Sequence, residues 1–277
     1  MITPYLYRPT GLLATYVDTI WVSKAPEFCY SNTTLPMLHH EMIIDFSGRF
    51  DIVRNAQNLN YGCSAWLAGL QTLPVTTTTE GNHFSAGVIF RPAGLYAVTG
   101  IDAIQFKEQC IPLEDVFGYG ADLLIEQIYL ASGPEHIAAL LEKFLSGRLK
   151  NQPIHTVALA GLHLLNDAPL SDGTVNTIAR TLSVSSKTFI HVFKQYIGAT
   201  PAQWHHLLLL NKALKMLATN PAQKLSNVCY DLNFTDQAHF IRFFKRYTNL
   251  TPSLYLKHIQ HKKAGLMGGP NSIELAV

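Results

Sequence analysis

Arg242, Gln237 and Ala238 lie close together in the C-terminal part of the chain, and each suits the edge of a base pair. A guanidinium can donate two bonds to guanine, an amide can pair with adenine, and a methyl group can contact the methyl of thymine. Lys245 and Arg246 follow one helical turn later, where such cations hold phosphates and fix register. The pattern predicts contact with the major groove of double-stranded DNA.

The segment that carries these residues occurs twice. Residues 175–204 and 226–255 align position by position, with one extra residue in the turn of the second copy. Each copy is predicted to form a short helix, a tight turn and a longer helix with basic and amide side chains. This is the helix-turn-helix pattern, whose second helix enters the major groove. The chain is therefore expected to carry two reading helices.

Helical spacing separates an inward face from an outward face in each longer helix. Phenylalanines such as Phe189 and Phe240 fall on the inward face and are interpreted as core. Ser185 and Thr235 precede the two helices, where a hydroxyl can cap the backbone amides of the first turn. An outward residue either contacts DNA or is only solvated. The candidates for DNA contact are Ser186, Lys187, Thr188, His191, Lys194, Gln195, Asp236, Gln237, Ala238, His239, Arg242, Lys245 and Arg246.

Charge is divided unevenly along the chain. Residues 1–170 hold 9 Lys and Arg against 15 Asp and Glu, a net charge of −6. Residues 171–277 hold 12 against 4, a net charge of +8, so the two parts give the overall +2. The imbalance predicts a nucleic-acid partner for the second part alone. At 277 residues, with 48% apolar, the chain is long enough to bury two cores.

The first ninety residues are predicted to form short strands and turns. Residues 41–53 alternate apolar and polar types around a turn at 47–48, which is typical of a half-buried hairpin. Residues 75–90 are expected to form two strands around a turn at 80–82. Such strands predict a β-sandwich or a barrel of the cupin-like kind.

Helical spacing replaces this alternation in the remainder of the chain. Residues 122–131 and 135–149 are predicted to form two amphipathic helices, one of which is expected to pack against its copy in a homodimer. Residues 154–166 are predicted to form a scaffold helix. Residues 202–219 are predicted to form one long helix that joins the two reading units.

The expected fold class is α+β, with two domains. Residues 1–150 are assigned to a β-rich sensor and dimerisation domain with two helices, and 151–262 to an all-α domain with two helix-turn-helix units. Residues 263–277 are Gly-rich and aperiodic and are expected to be disordered.

Neither a metal site nor a catalytic site is predicted. The four cysteines share no metal-like spacing. His39 and His40 are adjacent on a predicted strand, so at most one of them can join Glu41 on a common side. These histidines and His83 are interpreted as ordinary surface or turn residues. The chain has no nucleophile-elbow, phosphate-loop or zinc-protease motif, so neither a cofactor nor an enzymatic activity is expected.

The hydropathy pattern shows no segment near the roughly 18 apolar residues that span a bilayer, and no signal-peptide pattern at the N-terminus. The expectation is a soluble protein of the cytoplasm.

The repeated segment resembles the AraC/XylS family of bacterial transcription activators, whose DNA-binding domain has two helix-turn-helix units bridged by a long helix. Residues 231–255, DLNFTDQAHFIRFFKRYTNLTPSLY, follow the second-unit pattern of this family almost throughout. Three features depart from it. Leu209 stands where the family often has Arg, Asn249 replaces the Gly before the Thr-Pro pair, and His205 and His206 enrich the linker helix in histidine.

Residues 67–75 and 87–118 resemble, more loosely, a sensor domain found ahead of such DNA-binding domains. The resemblance implies that a small-molecule effector or a partner changes how this half holds the reading helices. It also implies RNA polymerase as a further partner. Two alternatives stay open: a first half that is a dimer or partner platform without a ligand, and an enzyme fused to a DNA-binding domain.

Overall fold

A strand-rich first half precedes a helical second half in this computed structural model, which describes residues 4–54, 57–58, 64–149, 154–168, 173–260 and 271–275. The strands are β1 (Tyr5–Tyr7), β2 (Val17–Thr34), β3 (Glu41–Asp45), β4 (Arg49–Arg54), β5 (Gln57–Asn58), β6 (Ala65–Ala68), β7 (Val75–Phe90), β8 (Cys110–Pro112) and β9 (Ser272–Leu275). The helices are α1 (Gly94–Thr99), α2 (Leu113–Phe117), α3 (Tyr119–Tyr129), α4 (Pro134–Ser146), α5 (Thr156–Asp167), α6 (Thr174–Thr181), α7 (Ser186–Ile197), α8 (Pro201–Thr219), α9 (Leu225–Asp231), α10 (Gln237–Thr248) and α11 (Pro252–Gln260).

Within the described residues, the strands form one hydrogen-bonded sheet built around the two longest of them. β2 and β7 run antiparallel along almost their whole length. On its other edge β7 pairs with β3 and with β4, each over a different part of its length. β6 and β8 extend the sheet beyond β3, and β1 lies beyond β2. The strand-rich first half and the helical second half confirm the predicted α+β class.

The predicted hairpin of residues 41–53 is wrong. The backbone N–H of Phe46 donates to the carbonyl of Phe84 at 2.7 Å, and that of Gly48 donates to the carbonyl of Asn82 at 3.1 Å. The chain therefore continues along β7 through the Ser-Gly step instead of reversing. β3 and β4 are two sections of one path beside the same long strand.

The predicted turn at residues 80–82 is also wrong, because β7 is continuous through it. Gly81 has a φ of +89°, a left-handed conformation that glycine adopts at little cost. The pairing of β2 with β7 shifts register nearby, between Ala25 and Phe28. Glycine here marks a bulge within a strand and not its end.

The two amphipathic helices predicted in the first half are confirmed as α3 and α4, and both cover one face of the sheet. Met42 and Ile44 of β3 belong to the core on this face, together with Leu124 of α3 and Leu141 of α4. Because successive side chains of a strand alternate between faces, Glu41 and Ile43 point to the opposite face of the sheet. The second face of the sheet is thus left free of these helices.

The second half contains the two predicted helical units joined by the predicted long helix, α8. In the first unit, α6 and α7 pack with α5 around a core that includes Phe189, Phe193 and Trp204. In the second unit, α9 and α10 pack with α8 and α11 around Phe240 and Phe244. Among the described residues, no helix is both long enough and apolar enough to cross a membrane.

The expectation of a disordered tail is wrong for residues 272–275, which form β9 and pair antiparallel with residues 31–34 of β2. Ile273 is buried in the core of the second unit beside Leu35, and this burial stabilises the short strand. Residues 263–270 and 276–277 lie outside the described part of the chain, as do residues 150–153, where the two predicted domains meet. The limits of the two domains stay a prediction.

Candidate nucleic-acid interface

The turns of the two units have the same backbone conformation. Ser183 and Asn233, fifty positions apart, are both left-handed, with φ of +55° and +58°. The backbone N–H of the next residue donates to a carbonyl of the preceding helix. Val184 donates to Ala179 at 3.0 Å, and Phe234 donates to Cys229 at 2.9 Å. Each longer helix therefore leaves its turn in the same way, as the internal repeat predicted.

The extra residue of the second copy changes the cap of its longer helix. Ser185 caps α7 as predicted, since its Oγ accepts the Thr188 N–H at 3.0 Å. In the second unit Asp236 is the cap, and its Oδ1 accepts the His239 N–H at 2.7 Å. The predicted cap at Thr235 is wrong because the added residue moves the cap one position onward.

The predicted outward residues of α7 are accessible to different degrees. Lys187, Thr188 and His191 are exposed, whereas Lys194 and Gln195 are half-buried. Ser186 lies at the start of the helix with its hydroxyl donating to Oδ1 of Asn176 at 2.7 Å, which ties α7 to α6. Spacing in the sequence gives no signal for this partner, so Asn176 was missed.

The predicted outward residues of α10 form a more basic surface, although Asp236 itself is the cap. Gln237, Ala238, Arg242, Lys245 and Arg246 are all exposed. Within the described part of the chain, the side chains of Arg242 and Lys245 make no ion pair and no hydrogen bond, so a ligand can reach both. His239 is half-buried, with its ring packed edge-on against Phe234 at 5.2 Å between centroids.

The linker helix α8 begins with a reciprocal cap. Thr200 Oγ1 accepts the Gln203 N–H at 3.1 Å, and Gln203 Oε1 accepts the Thr200 N–H at 3.2 Å. Such a capping box satisfies two backbone amides at the helix start. Leu209, at the position that departs from the AraC pattern, is buried in the core of the second unit. The contact of α8 with the second unit is therefore apolar at this point.

The two histidines of α8 connect it to both units. His205 donates through Nε2 to the carbonyl of Ala168, at the end of α5, at 3.0 Å. His206 Nδ1 lies 3.0 Å from the hydroxyl of Tyr247 on α10. Burial lowers the pKa of both imidazoles, which favours their neutral forms. α8 is thus fixed to each reading unit by a polar contact as well as by packing.

The histidines of the first half are not all where they were predicted. His39 and Glu41 share one side, with Nε2 and Oε1 3.1 Å apart. His40 and His83 are buried, at 2% and 7% exposed, so their interpretation as surface or turn residues is wrong. His83 lies between the hydroxyls of Ser23 and Ser47. The described residues contain no group of three or more side chains that could hold a metal ion.

Two helix-turn-helix units on one linker helix, with exposed basic side chains on the longer helix of the second unit, define a domain of the helix-turn-helix DNA-binding class. A family model described as a helix-turn-helix domain matches residues 178–258, and a model described as a domain of unknown function (DUF6597) matches residues 5–112. The helix-turn-helix half of the chain is thus similar to that of AraC-type transcriptional regulators.

Two curated relatives match part of the chain. An uncharacterized HTH-type transcriptional regulator of Haemophilus influenzae is 27% identical over 120 residues, which is 43% of this chain and 39% of the relative. The arabinose operon regulatory protein of Escherichia coli is 25% identical over 130 residues, 44% of each chain. The matched segment thus spans less than half the length of either relative. Among solved structures, ToxT from Vibrio cholerae matches over 92% of this chain and 98% of its own, at 12% identity and a TM-score of 0.42.

Proposed function

We propose that the protein reads a specific DNA sequence with two helices, α7 and α10, which enter two successive major grooves on one face of the duplex. The observation that carries the proposal is the pair of aligned units on a single linker helix. α8 has 19 residues, which span about 28 Å at the 1.5 Å rise of an α-helix. Successive major grooves on one face are about 34 Å apart, a separation that such a linker suits.

The exposed residues of α10 and α7 have different roles in this proposal. Gln237, Ala238 and Arg242 lie in the first two turns of α10 and read base edges. Lys245 and Arg246 lie further along and hold phosphates. Asp236 is removed from readout, because its Oδ1 is already engaged by the backbone of α10. On α7 the exposed Lys187, Thr188 and His191 face the groove, while Ser186, Lys194 and Gln195 lie at its edges.

The first half of the protein controls the reading helices in response to a small-molecule effector or a partner. Contacts between the halves support this role. The rings of Tyr96 on α1 and Tyr196 on α7 are 4.4 Å apart between centroids. Gly198, at the end of α7, fits so closely against His40 that an added Cβ would lie 2.8 Å from its Cε1. A conformational change in the first half therefore acts directly on the first reading unit through these contacts.

Further parts of the proposal concern partners. α3 exposes Tyr119, Leu123 and Tyr129, and Leu130 follows at its end. An apolar surface of this kind supports packing of α3 against its copy in a homodimer. RNA polymerase is the expected partner of the DNA-bound protein in the cytoplasm, and no enzymatic activity is proposed. If the first half is instead a platform without a ligand, no small molecule will raise the melting temperature of the protein.

The test is selection of DNA from a random library with the full chain, followed by footprinting of the selected site. Each bound chain, counted by mass, should protect two short blocks about one helical turn apart. The Arg242→Ala and Lys187→Ala variants should each weaken protection in a different block. One protected block per chain, lost in only one of the two variants, would contradict reading by both helices.

A further inference from the structure

A cavity of about 120 Å³ lies on the face of the sheet that α3 and α4 leave free. Residues from β2, β3, β4, β6, β7 and β8 all contribute to its wall, so the sheet curves around it. β3 shows the two faces clearly: Glu41 and Ile43 line the cavity, whereas Met42 and Ile44 belong to the core under the helices. The cavity is therefore a second interior of the first half, separate from its hydrophobic core.

The chemistry of this wall favours one class of ligand. Most of the lining is apolar, and it includes Ile43, Ile52 and Trp66. The described lining residues include one carboxylate, Glu41, and no Lys or Arg. An anion would lie beside the Glu41 carboxylate, and His39 is the one basic side chain among the described lining residues. Arg54 reaches Gln71 of the wall but is already paired with Glu108, so burial of an anion here is costly. An ammonium group would gain a charge-assisted hydrogen bond from the carboxylate and attraction to the indole.

The polar end of the cavity is already organised to accept a hydrogen bond. His39 lies 3.1 Å from Oε1 of Glu41 and holds this carboxylate in place, so Oε2 is the oxygen left to receive a donor from a ligand. The volume sets the size of the apolar body, since a cavity of roughly 150 Å³ takes a benzene ring. We propose that this cavity binds a small organic amine with an apolar body of about one ring, whose ammonium donates to Glu41. The inference rests on the proposed control of the protein by an effector.

The segment that connects β2 to β3, residues 35–40, links this cavity to both reading units. We call it the strap. Met37 and His39 of the strap line the cavity. Leu38, between them, packs against the cores of both reading units. His40 donates through Nε2 to the carbonyl of Ile197, the last residue of α7, at 3.1 Å. Alternate strap residues thus contact the ligand site and the DNA-binding half.

The linker helix is held by the same segment. The carbonyl of Pro36 accepts Nδ2 of Asn211, on α8, at 3.1 Å, and Nδ2 of Asn271 at 2.9 Å. An amine in the cavity presses on Met37 and His39, and any shift of the strap moves the anchors of α7 and α8 together. Binding of the ligand and binding of DNA are therefore coupled. The factor by which the ligand changes the affinity for DNA must equal the factor by which DNA changes the affinity for the ligand.

The ligand class is tested by calorimetry of the full chain with benzylamine, benzyl alcohol and benzoate, which share a ring and differ in charge. Benzylamine should bind about tenfold more tightly than benzyl alcohol, as expected for a charge-assisted bond, and benzoate should not bind. Glu41→Gln should remove this tenfold advantage and leave benzyl alcohol unchanged. Glu126→Gln, on α3 outside the cavity, is the matched control and should behave as the unmodified protein.

The coupling is tested on the selected DNA site. Saturating benzylamine should change the DNA affinity of the unmodified protein by about fivefold or more. Leu38→Ala should keep benzylamine binding and reduce this change. Benzoate binding as tightly as benzylamine, no binding of any of the three compounds, or an unchanged benzylamine affinity in Glu41→Gln would overturn the proposal. Binding of the unliganded protein to DNA reports on the proposed function by itself, so the two failures are distinguishable.

Discussion

The Nε2 atom of His40 and the carbonyl oxygen of Ile197 form a hydrogen bond of 3.1 Å between residues 157 positions apart. The C-terminal end of a helix attracts positive charge, which on its own would favour a protonated imidazole. Burial has the larger effect here and lowers the pKa of His40 to about 4. The imidazole is therefore neutral, and a desolvated neutral donor joins the two halves of the protein.

Acidification should destabilise the protein through this histidine. The pKa is about 4 in the folded chain and about 6.5 in the unfolded chain. Between these values only the unfolded state takes up the proton, so stability falls as pH falls below about 6.5 and is unaffected above it. Denaturant unfolding at pH 7.5 and pH 5 should show a loss of about 1 to 2 kcal/mol from this residue.

His40→Gln removes the titrating group and keeps a donor near Ile197, so its loss of stability between these pH values should be smaller. Some loss will remain, because burial also lowers the pKa of His83, His205 and His206. An identical pH dependence in the variant and the unmodified protein would show that His40 does not titrate in this way.

The residues that end the two reading helices should not be interchangeable. Gly198 and Asn249 are both left-handed, with φ of +86° and +60°. A Cβ at position 198 would lie 2.8 Å from His40 Cε1 and 2.9 Å from the carbonyl of Ala103. Gly198→Asn should therefore cost about 1 to 3 kcal/mol through overpacking. The reverse change, Asn249→Gly, should be nearly neutral, since glycine suits this conformation. Equal effects in urea unfolding would contradict the close packing at Gly198.

The cap of α10 should depend on Asp236 and not on its neighbour. Asp236→Ala removes the acceptor of the His239 N–H and should cost about 0.5 to 2 kcal/mol of stability, as helix caps do. Thr235→Ala, one residue earlier, should cost less in the same thermal or denaturant unfolding. A larger loss in the Thr235 variant would restore the hydroxyl as the cap.

Arg242 and Lys245 should contribute to different properties of DNA binding, although both are exposed on α10. Arg242→Ala should cost about 1 to 3 kcal/mol on the selected site and relax the preference at one base pair. Lys245→Ala should weaken all sequences alike and lower the salt slope by about one unit. Binding of both variants to selected and scrambled DNA across a salt series checks this. An equal loss for Arg242→Ala on both DNAs would remove α10 from direct readout.

The helical half was predictable because its signals are local. The spacing of Phe189 and Phe193, repeated at Phe240 and Phe244, depends only on the 3.6-residue period of each helix. The first half was less predictable because the same residues serve different structures. A Ser-Gly step at 47–48 can close a hairpin or continue beside a longer strand, and only the length of β7 decides which.

The parts of the site that sequence reasoning missed depend on distant contacts. The burial of His40 is set by the end of α7, and the strap is recognisable only when both reading units are placed beside it. The cap at Asp236 is local, but residue type alone does not predict it, because the extra turn residue moves the start of α10 one position onward. Position along the helix axis, and not similarity of residue type, decides which side chain reaches the first free amide.

The pairing of β9 with β2 has a consequence for the synthesis of the protein. Ser272 donates to Asn32, 240 positions earlier in the chain. A ribosome adds about 5 to 20 residues per second, so β9 is synthesised roughly 10 to 50 seconds after the edge of β2 with which it pairs. During that interval a row of unpaired backbone groups is open to other nascent chains, and such edges invite aggregation. We expect the yield of folded protein to depend more on the speed of translation and the supply of chaperones than on the stability of the folded state.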